Sequence, residues 1–222
     1  MIMSKIATPK LWSGPSPRGT VRAVVLVLHG GKVDSHAPSR PWHLSGLRMW
    51  QFTWALRRAG RADGVAVHQL QYRFRGWNGV ERSPVRDARW ALLRIRDEHP
   101  GVPVVVVGHS MGGRTAAAVG HDPGVLGLVA LAPWWPDGDE LANIKSDRSV
   151  RVLHGRDDSW TDPRKSSAEV ESARRRGVDA TFVDMDGGHF MIRKSRTWVE
   201  RTTKFAMDII ARVPSEENGV SS

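Results

Sequence analysis

The sequence contains no cysteine, which removes disulfides, thiolate metal sites and a cysteine nucleophile together. No run approaches 18 consecutive apolar residues, so a membrane-spanning helix is not expected. The opening Met1-Ile2-Met3-Ser4-Lys5-Ile6 lacks the apolar stretch of a signal peptide. No His-x-x-x-His pair or carboxylate cluster falls on one predicted helix, so no metal is expected. The first glycine-rich loop, Gly30-Gly31-Lys32-Val33-Asp34, carries neither a dinucleotide fingerprint nor a Walker A lysine, and no cofactor is expected. Internal repeats and low-complexity tracts are missing too. These absences leave a soluble, cytoplasmic protein as the expectation, with one domain over residues 1–213 and a disordered polar tail over 214–222.

What is present fits that frame. The chain has 222 residues, 40% hydrophobic and 25% charged, the balance of a globular protein large enough to build a core without staples. The net charge is +10, and 26 of the 33 basic residues are arginine. Such a balance fits either arginines spread over solvated helix faces or a functional anionic partner. The densest cluster, Arg174-Arg175-Arg176 before Gly177, reads as a last helical turn closed by a C′ glycine, where cations suit the helix dipole.

Two kinds of segment alternate. Nearly continuous β-branched runs at Val21–Leu28, Val65–Tyr72, Val102–Val107, Leu126–Leu131, Val150–Leu153 and Ala180–Met185 read as strands buried on both faces. Between them, Leu44–Ala59, Ser83–Glu98, Met111–Val119, Asp162–Arg176 and Thr197–Arg212 read as helices. Gly60 closes the first of these, and a Ser-Pro N-cap opens the second. Strands alternating with helices predict an α/β fold: a mostly parallel sheet with helices on both faces. A short edge strand is expected within residues 1–20. The interval from Pro133 to Ser149 is too short for a cap domain.

Gly108-His109-Ser110-Met111-Gly112 is a G-x-S-x-G pentapeptide. This composition yields one by chance roughly one time in six, so context decides its meaning. It follows the Val104–Val107 strand and precedes a small-residue helix start, the setting in which a serine sits on a sharp elbow. The helix N-terminus would aim free N–H groups at a developing oxyanion.

On these residues the chain resembles the α/β-hydrolase superfamily, from about Val21 to Arg212. The resemblance implies a nucleophile, an acid and a histidine in that order along the chain. Ser110 takes the first place. After the strand ending at Leu153, His154-Gly155-Arg156-Asp157-Asp158 places the family's aspartate at Asp158, with Asp157 as the rival. Asp186-Gly187-Gly188-His189 supplies the base, His189. Met111 and Gly31 are the expected oxyanion donors, with Lys32 as the alternative to Gly31. His29 is expected to support that loop.

The compact spacing is similar to the lidless dienelactone hydrolase branch. The serine, in place of that branch's usual cysteine, favours ordinary ester hydrolysis over its lactone chemistry. It also departs from the relatives that attack with an aspartate. Trp77, Trp134, Trp135 and Trp160 lie in loops at the expected ligand-binding face, as either a substrate pocket or loop anchors. Trp50, Trp54 and Trp90 fall within helices and are expected in the core. Arg73 and Arg75 are either carboxylate-binding or surface arginines.

The expectation is a serine esterase or thioesterase acting on a small-molecule ester, without nucleic acid or membrane as partner. The alternative is a hydrolase-fold protein that binds anionic ligands or nucleic acid without turnover. Ser110 should lie outside the ordinary backbone regions, with His189 within hydrogen-bond reach.

Overall fold

A computed structural model of the chain describes residues 7–212. The predicted tail, 214–222, lies outside the described residues. In chain order the elements are β1 Lys10–Ser13, β2 Ala23–Leu28, α1 Leu44–Gly60, β3 Val65–Gln71, α2 Ser83–Glu98, β4 Val104–His109 and α3 Met111–Val119. They continue as β5 Val125–Leu131, β6 Ser149–Gly155, α4 Pro163–Arg175, β7 Asp179–Met185 and α5 Ser195–Ile210. The seven strands form one sheet in the order β1-β3-β2-β4-β5-β6-β7. The short edge strand β1 pairs antiparallel with β3, and every other pairing is parallel.

Every residue of β2, β4 and β6 is buried, which accounts for the apolar run of β2 and the Val104–Val107 run of β4, whereas β6 is interrupted by the buried Arg151. The two-residue period sorts their side chains onto two faces. Val24, Leu26, Val104, Val106, Val150 and Val152 pack against helices α2, α3 and α4. Val25, Val27, Val105, Val107, Val129 and Leu153 pack against Met49, Phe52 and Leu56 of α1 and Trp198, Ala206 and Ile209 of α5. Two predicted details differ. Arg82, in a left-handed conformation at φ 48°, caps α2 where Ser83 was expected to, and Ser83 is the helix's first residue. Trp54 is 63% exposed and Trp50 36%, so neither is a core residue, whereas Trp90 is half-buried against the core.

Sheet order places the site. From β2 the chain crosses to β3 on one side, whereas β4 lies on the other. The loops after β2 and β4 therefore diverge around a switch point at the strands' C-terminal ends, where open α/β sheets bind ligands. Gly30 and Ser110 occupy those two loops. No cap interrupts the fold: residues 132–148, between β5 and β6, are turns and coil.

Candidate active site

Ser110 sits between β4 and α3 at φ 56°, ψ −117°, outside the regions an L-residue ordinarily adopts. Such a conformation costs roughly 1–3 kcal/mol and persists only where the surroundings impose it. Here Ser110 N–H donates to Leu131 O (3.0 Å), and its carbonyl accepts from Trp134 N–H (3.1 Å) and Arg114 N–H (3.1 Å). The glycines of the pentapeptide are steric requirements. A Cβ on Gly108 would lie 2.1 Å from Gly112 O, and one on Gly112 would lie 2.5 Å from Leu28 O.

His189 follows β7 and reaches both partners. Its Nε2 lies 2.9 Å from Ser110 Oγ and its Nδ1 lies 2.9 Å from Asp158 Oδ2. The loops after β6 and β7 lie back to back: Asp157 N–H donates to Gly187 O at 3.2 Å, and a Cβ on Gly155 would meet that oxygen at 2.1 Å. Trp198 of α5, fully buried, donates its indole N–H to Asp186 O at 3.1 Å and anchors the base of the His189 loop.

The two candidate aspartates differ in their surroundings. Asp157 is 57% exposed and its nearest cation, Arg193, is 3.9 Å away, whereas the Asp158 side chain is fully buried behind the imidazole.

The fold gives Asp158 partners that its place in the sequence does not disclose. Its Oδ2 accepts from Thr161 Oγ1–H at 2.8 Å and lies 3.1 Å from His154 Nε2, besides the contact with His189. Its Oδ1 accepts from the Trp160 and Thr161 N–H groups at 2.8 and 2.9 Å. Burial alone would raise this carboxyl, but the bonds from His154, His189 and Thr161 outweigh burial and hold it well below the usual carboxylate range. His154 is wholly buried. Its two ring nitrogens are both engaged, Nε2 lying 3.1 Å from Asp158 Oδ2 and Nδ1 2.9 Å from Ser166 Oγ. The offsets of His154 and Thr161 from Asp158, four back and three on, were visible in the chain. Their convergence on one oxygen needed the fold.

Two more buried histidines brace the site. His109 donates from Nε2 to His189 O at 2.9 Å, and His29 donates from Nδ1 to Gly30 O at 2.6 Å, the supporting role expected of it. Burial pushes His109 down to about 3, with the neighbouring His189 adding to the effect. Burial likewise pushes His29 down to about 4, partly offset by its bond to Gly30. Both stay neutral in the folded chain at pH values where an unfolded histidine, near 6.5, takes up a proton. Between those values the unfolded state binds more protons, so stability falls with pH from about 6.5 towards 4. Asp158 adds nothing to that slope, because its depressed carboxyl loses stability only below about 4. The urea midpoint should therefore drop between pH 7 and pH 4.5. A midpoint constant over that range would contradict two buried neutral histidines.

The expected oxyanion residues are neighbours, since a Cβ on Gly31 would lie 2.4 Å from Met111 Cε. Among the described residues, no hydrogen-bond acceptor engages the Gly31 or Met111 N–H. The Lys32 N–H is spent on Arg75 O at 2.8 Å, which removes Lys32 as the alternative. Gly31 has no room for a side chain, since a Cβ would lie 2.4 Å from Arg75 O.

The four loop tryptophans divide. Trp160, 72% exposed, stacks on His189 with 6.1 Å between ring centroids and 19° between planes. Trp77 and Trp134 meet edge to face at 6.1 Å and border a cavity of about 790 Å³ that none of Ser110, Asp158 and His189 lines. Arg114 lies 4.3 and 4.7 Å from their ring centroids and pairs with Asp137. Trp135 is buried and directs its N–H towards Gly113 O, a packing role and not the pocket wall considered for it. Arg73 is bound to buried Asp87 through its side chain and its backbone N–H, which accounts for it as a structural arginine.

A hydroxyl on a strained elbow, an imidazole, a buried carboxylate and two unengaged backbone N–H groups form an arrangement able to take the proton from the hydroxyl and receive negative charge on an adjoining oxygen. The arrangement lies at the C-terminal ends of the strands of a mostly parallel sheet that carries no cap between β5 and β6. Residues 24–213 match the alpha/beta hydrolase family, and the chain belongs to it.

The chain is 26% identical to mouse monoglyceride lipase over 164 residues, 71% of this chain and 48% of the lipase. The human monoglyceride lipase is 26% identical over 160 residues, with the same shares. The chain thus spans about half the length of these curated relatives. Among solved structures, a putative alpha/beta hydrolase from Agrobacterium tumefaciens superposes with a TM-score of 0.72 at 18% identity, covering 93% of this chain and 94% of that one. A serine hydrolase without a lid from Xanthomonas campestris gives 0.64 at 16% identity, covering 96% and 100%. Est1E from Butyrivibrio proteoclasticus gives 0.65 at 12% identity, covering 92% and 94%.

Proposed function

We propose that the protein hydrolyses small or medium carboxylic esters, or thioesters, through an acyl-enzyme on Ser110. The reading rests on one observation above all: Ser110 Oγ, the His189 ring and Asp158 stand in line, 2.9 Å apart at each step. As Ser110 Oγ attacks the carbonyl carbon, its proton passes to His189 Nε2, and the oxyanion accepts from the Gly31 and Met111 N–H groups. The tetrahedral species collapses, the bond to the leaving alcohol or thiol breaks, and His189 returns the proton to the leaving group. Water, deprotonated by His189, then releases the acid and restores the Ser110 hydroxyl. Asp158 keeps the imidazole in the tautomer that accepts at Nε2 and stabilises the imidazolium.

Thr161 and His154 position that carboxylate. Thr161→Val removes a hydroxyl donor without changing shape, and it should lower kcat roughly tenfold with KM little changed, as expected for losing one bond to a charged group. An unchanged kcat would separate Thr161 from the working geometry. The reading as a whole is tested by p-nitrophenyl esters and thioesters of graded acyl length, on wild type and on Ser110→Ala. Turnover that depends on Ser110 supports it, and its dependence on chain length identifies the acyl preference. No turnover across the series, or turnover equal in the variant, would overturn it.

A further inference from the structure

None of the chain's 23 acidic residues falls between Ser35 and Ala62, whereas that stretch holds Arg40, Arg48, Arg57, Arg58 and Arg61 together with Trp42, Trp50 and Trp54. Most of it is α1, whose inner face packs Met49, Phe52 and Leu56 on the sheet. The outer face is apolar as well. Leu44, Leu47 and Trp54 lie along one side of the helix with Gln51 and Arg58, and Leu44 is 75% exposed. Trp42, at the approach to the helix, is also exposed.

Each tryptophan carries an arginine against its ring: Arg40 on Trp42, Arg57 on Trp50 and Arg58 on Trp54, at 5.6 to 5.9 Å. Among the described residues no carboxylate pairs with any of the five arginines, although the Arg57 guanidinium donates to the Val67 and Trp12 carbonyls, which leaves Arg40, Arg48, Arg58 and Arg61 for an external anion. The strip continues to the site. Arg48 lies 4.6 Å over Phe190, Phe190 meets Trp160 at 5.2 Å, and Trp160 stacks on His189. Exposed Ile192 follows in the same loop. At the other end, α1 and α5 enclose a groove of about 740 Å³ lined by Trp54, Ala55, Arg58 and Val199 and by Glu200, whose carboxylate is paired with Arg196.

We propose that this acid-free outer face of α1, continued by Trp160 and Ile192, docks the protein on an anionic lipid surface with the mouth of the site turned towards it. The chemistry selects that occupant. Aliphatic and tryptophan side chains enter the headgroup boundary while unpaired arginines meet lipid phosphates, the pattern of a helix lying in the interface plane. A second copy on a two-fold axis would set the same uncompensated cations against one another. A nucleic acid would answer the arginines and leave Leu44, Leu47 and Ile192 without apolar partners. No described helix is long and apolar enough to cross a membrane, which constrains spanning and not surface binding. The sequence had led to no membrane partner, and this proposal departs from that expectation.

The test is co-sedimentation with vesicles of phosphatidylcholine alone and of phosphatidylcholine containing about one third phosphatidylglycerol, at about 0.1 M and about 0.5 M NaCl. Wild type and Ser110→Ala should bind the anionic vesicles equally, at least about tenfold more tightly than the neutral ones, and less at high salt. Leu44→Ser with Trp54→Ser, and separately Arg40→Glu with Arg58→Glu, should each weaken binding at least about tenfold, with the thermal midpoint little changed because all four side chains are on the surface. Binding does not depend on turnover, so failure here leaves the esterase reading standing, and the reverse. Equal partition onto both vesicle types, or variants that bind like wild type, would overturn the proposal. So would a concentration-dependent dimer lost in Leu44→Ser/Trp54→Ser without vesicle binding, which would assign the face to a second copy.

Discussion

Ser110→Ala is expected to lower ester turnover by about four to six orders of magnitude while leaving KM nearly unchanged. The side chain removed is the attacking atom. The backbone N–H groups of Gly31 and Met111 and the surrounding loops remain, so substrate still binds and a residual rate above that in water survives. The same position carries a stability signature. At φ 56°, ψ −117°, alanine is as strained as serine, so Ser110→Ala should change stability little. Glycine adopts that region freely, and the relief of roughly 1–3 kcal/mol exceeds the ~0.4–1 kcal/mol that its looser unfolded chain costs. Ser110→Gly should therefore be inactive and about 1 kcal/mol more stable than wild type, measured as a higher urea midpoint. Equal stability of the glycine and alanine variants would mean that the elbow stores no strain.

Asp158→Asn should reduce kcat by about four orders of magnitude, against a change of less than about threefold for Asp157→Asn. The amide is nearly isosteric, so the loss reports chemistry more than packing. A carboxylate only accepts, and its Oδ2 holds the His189 Nδ1–H at 2.9 Å, leaving Nε2 free to accept the serine proton. An asparagine that turns its NH2 towards Nδ1 inverts this tautomer and leaves Nε2–H facing the hydroxyl. It also cannot stabilise an imidazolium. Asp157 has no such partner: it is exposed and only loosely paired with Arg193. Steady-state kinetics of the two variants on one ester decide between them, and a greater loss at Asp157 would move the acid one residue back along the chain.

Strands buried on both faces announce themselves, and β2, β4 and, apart from Arg151, β6 were legible as apolar or β-branched runs to within about two residues. The elbow was legible because a strand, two glycines and a small-residue helix start agree around Ser110. The order serine, aspartate, histidine came from resemblance, which also placed the acid at Asp158 with Asp157 as its rival, and the burial of Asp158 behind the imidazole supports that placement. Helix α1 shows what the chain alone conceals. With Met49, Phe52 and Leu56 on one side and Leu44, Leu47 and Trp54 on the other, its apolar residues do not define a single stripe, so the buried face could not be read. Trp134 and Trp135 are adjacent, yet one borders a cavity and the other is buried with its N–H towards Gly113 O, a difference that side-chain type does not reveal. The bonds that His154 and Thr161 make to Asp158 depend on how the β6 loop folds back, which short-range spacing does not reveal.

The central claim is that Ser110 is a nucleophile activated by His189, and labelling with a fluorophosphonate followed by peptide mapping tests it most directly. The reagent reports an activated serine and requires no knowledge of the natural substrate. The account predicts a single labelled site, Ser110, among the 18 serines of the chain. Labelling should vanish in Ser110→Ala, which lacks the attacking atom, and in His189→Ala, which lacks the base 2.9 Å from it. A label on another serine, or labelling of Ser110 undiminished without His189, would contradict the mechanism even though the fold is that of the family.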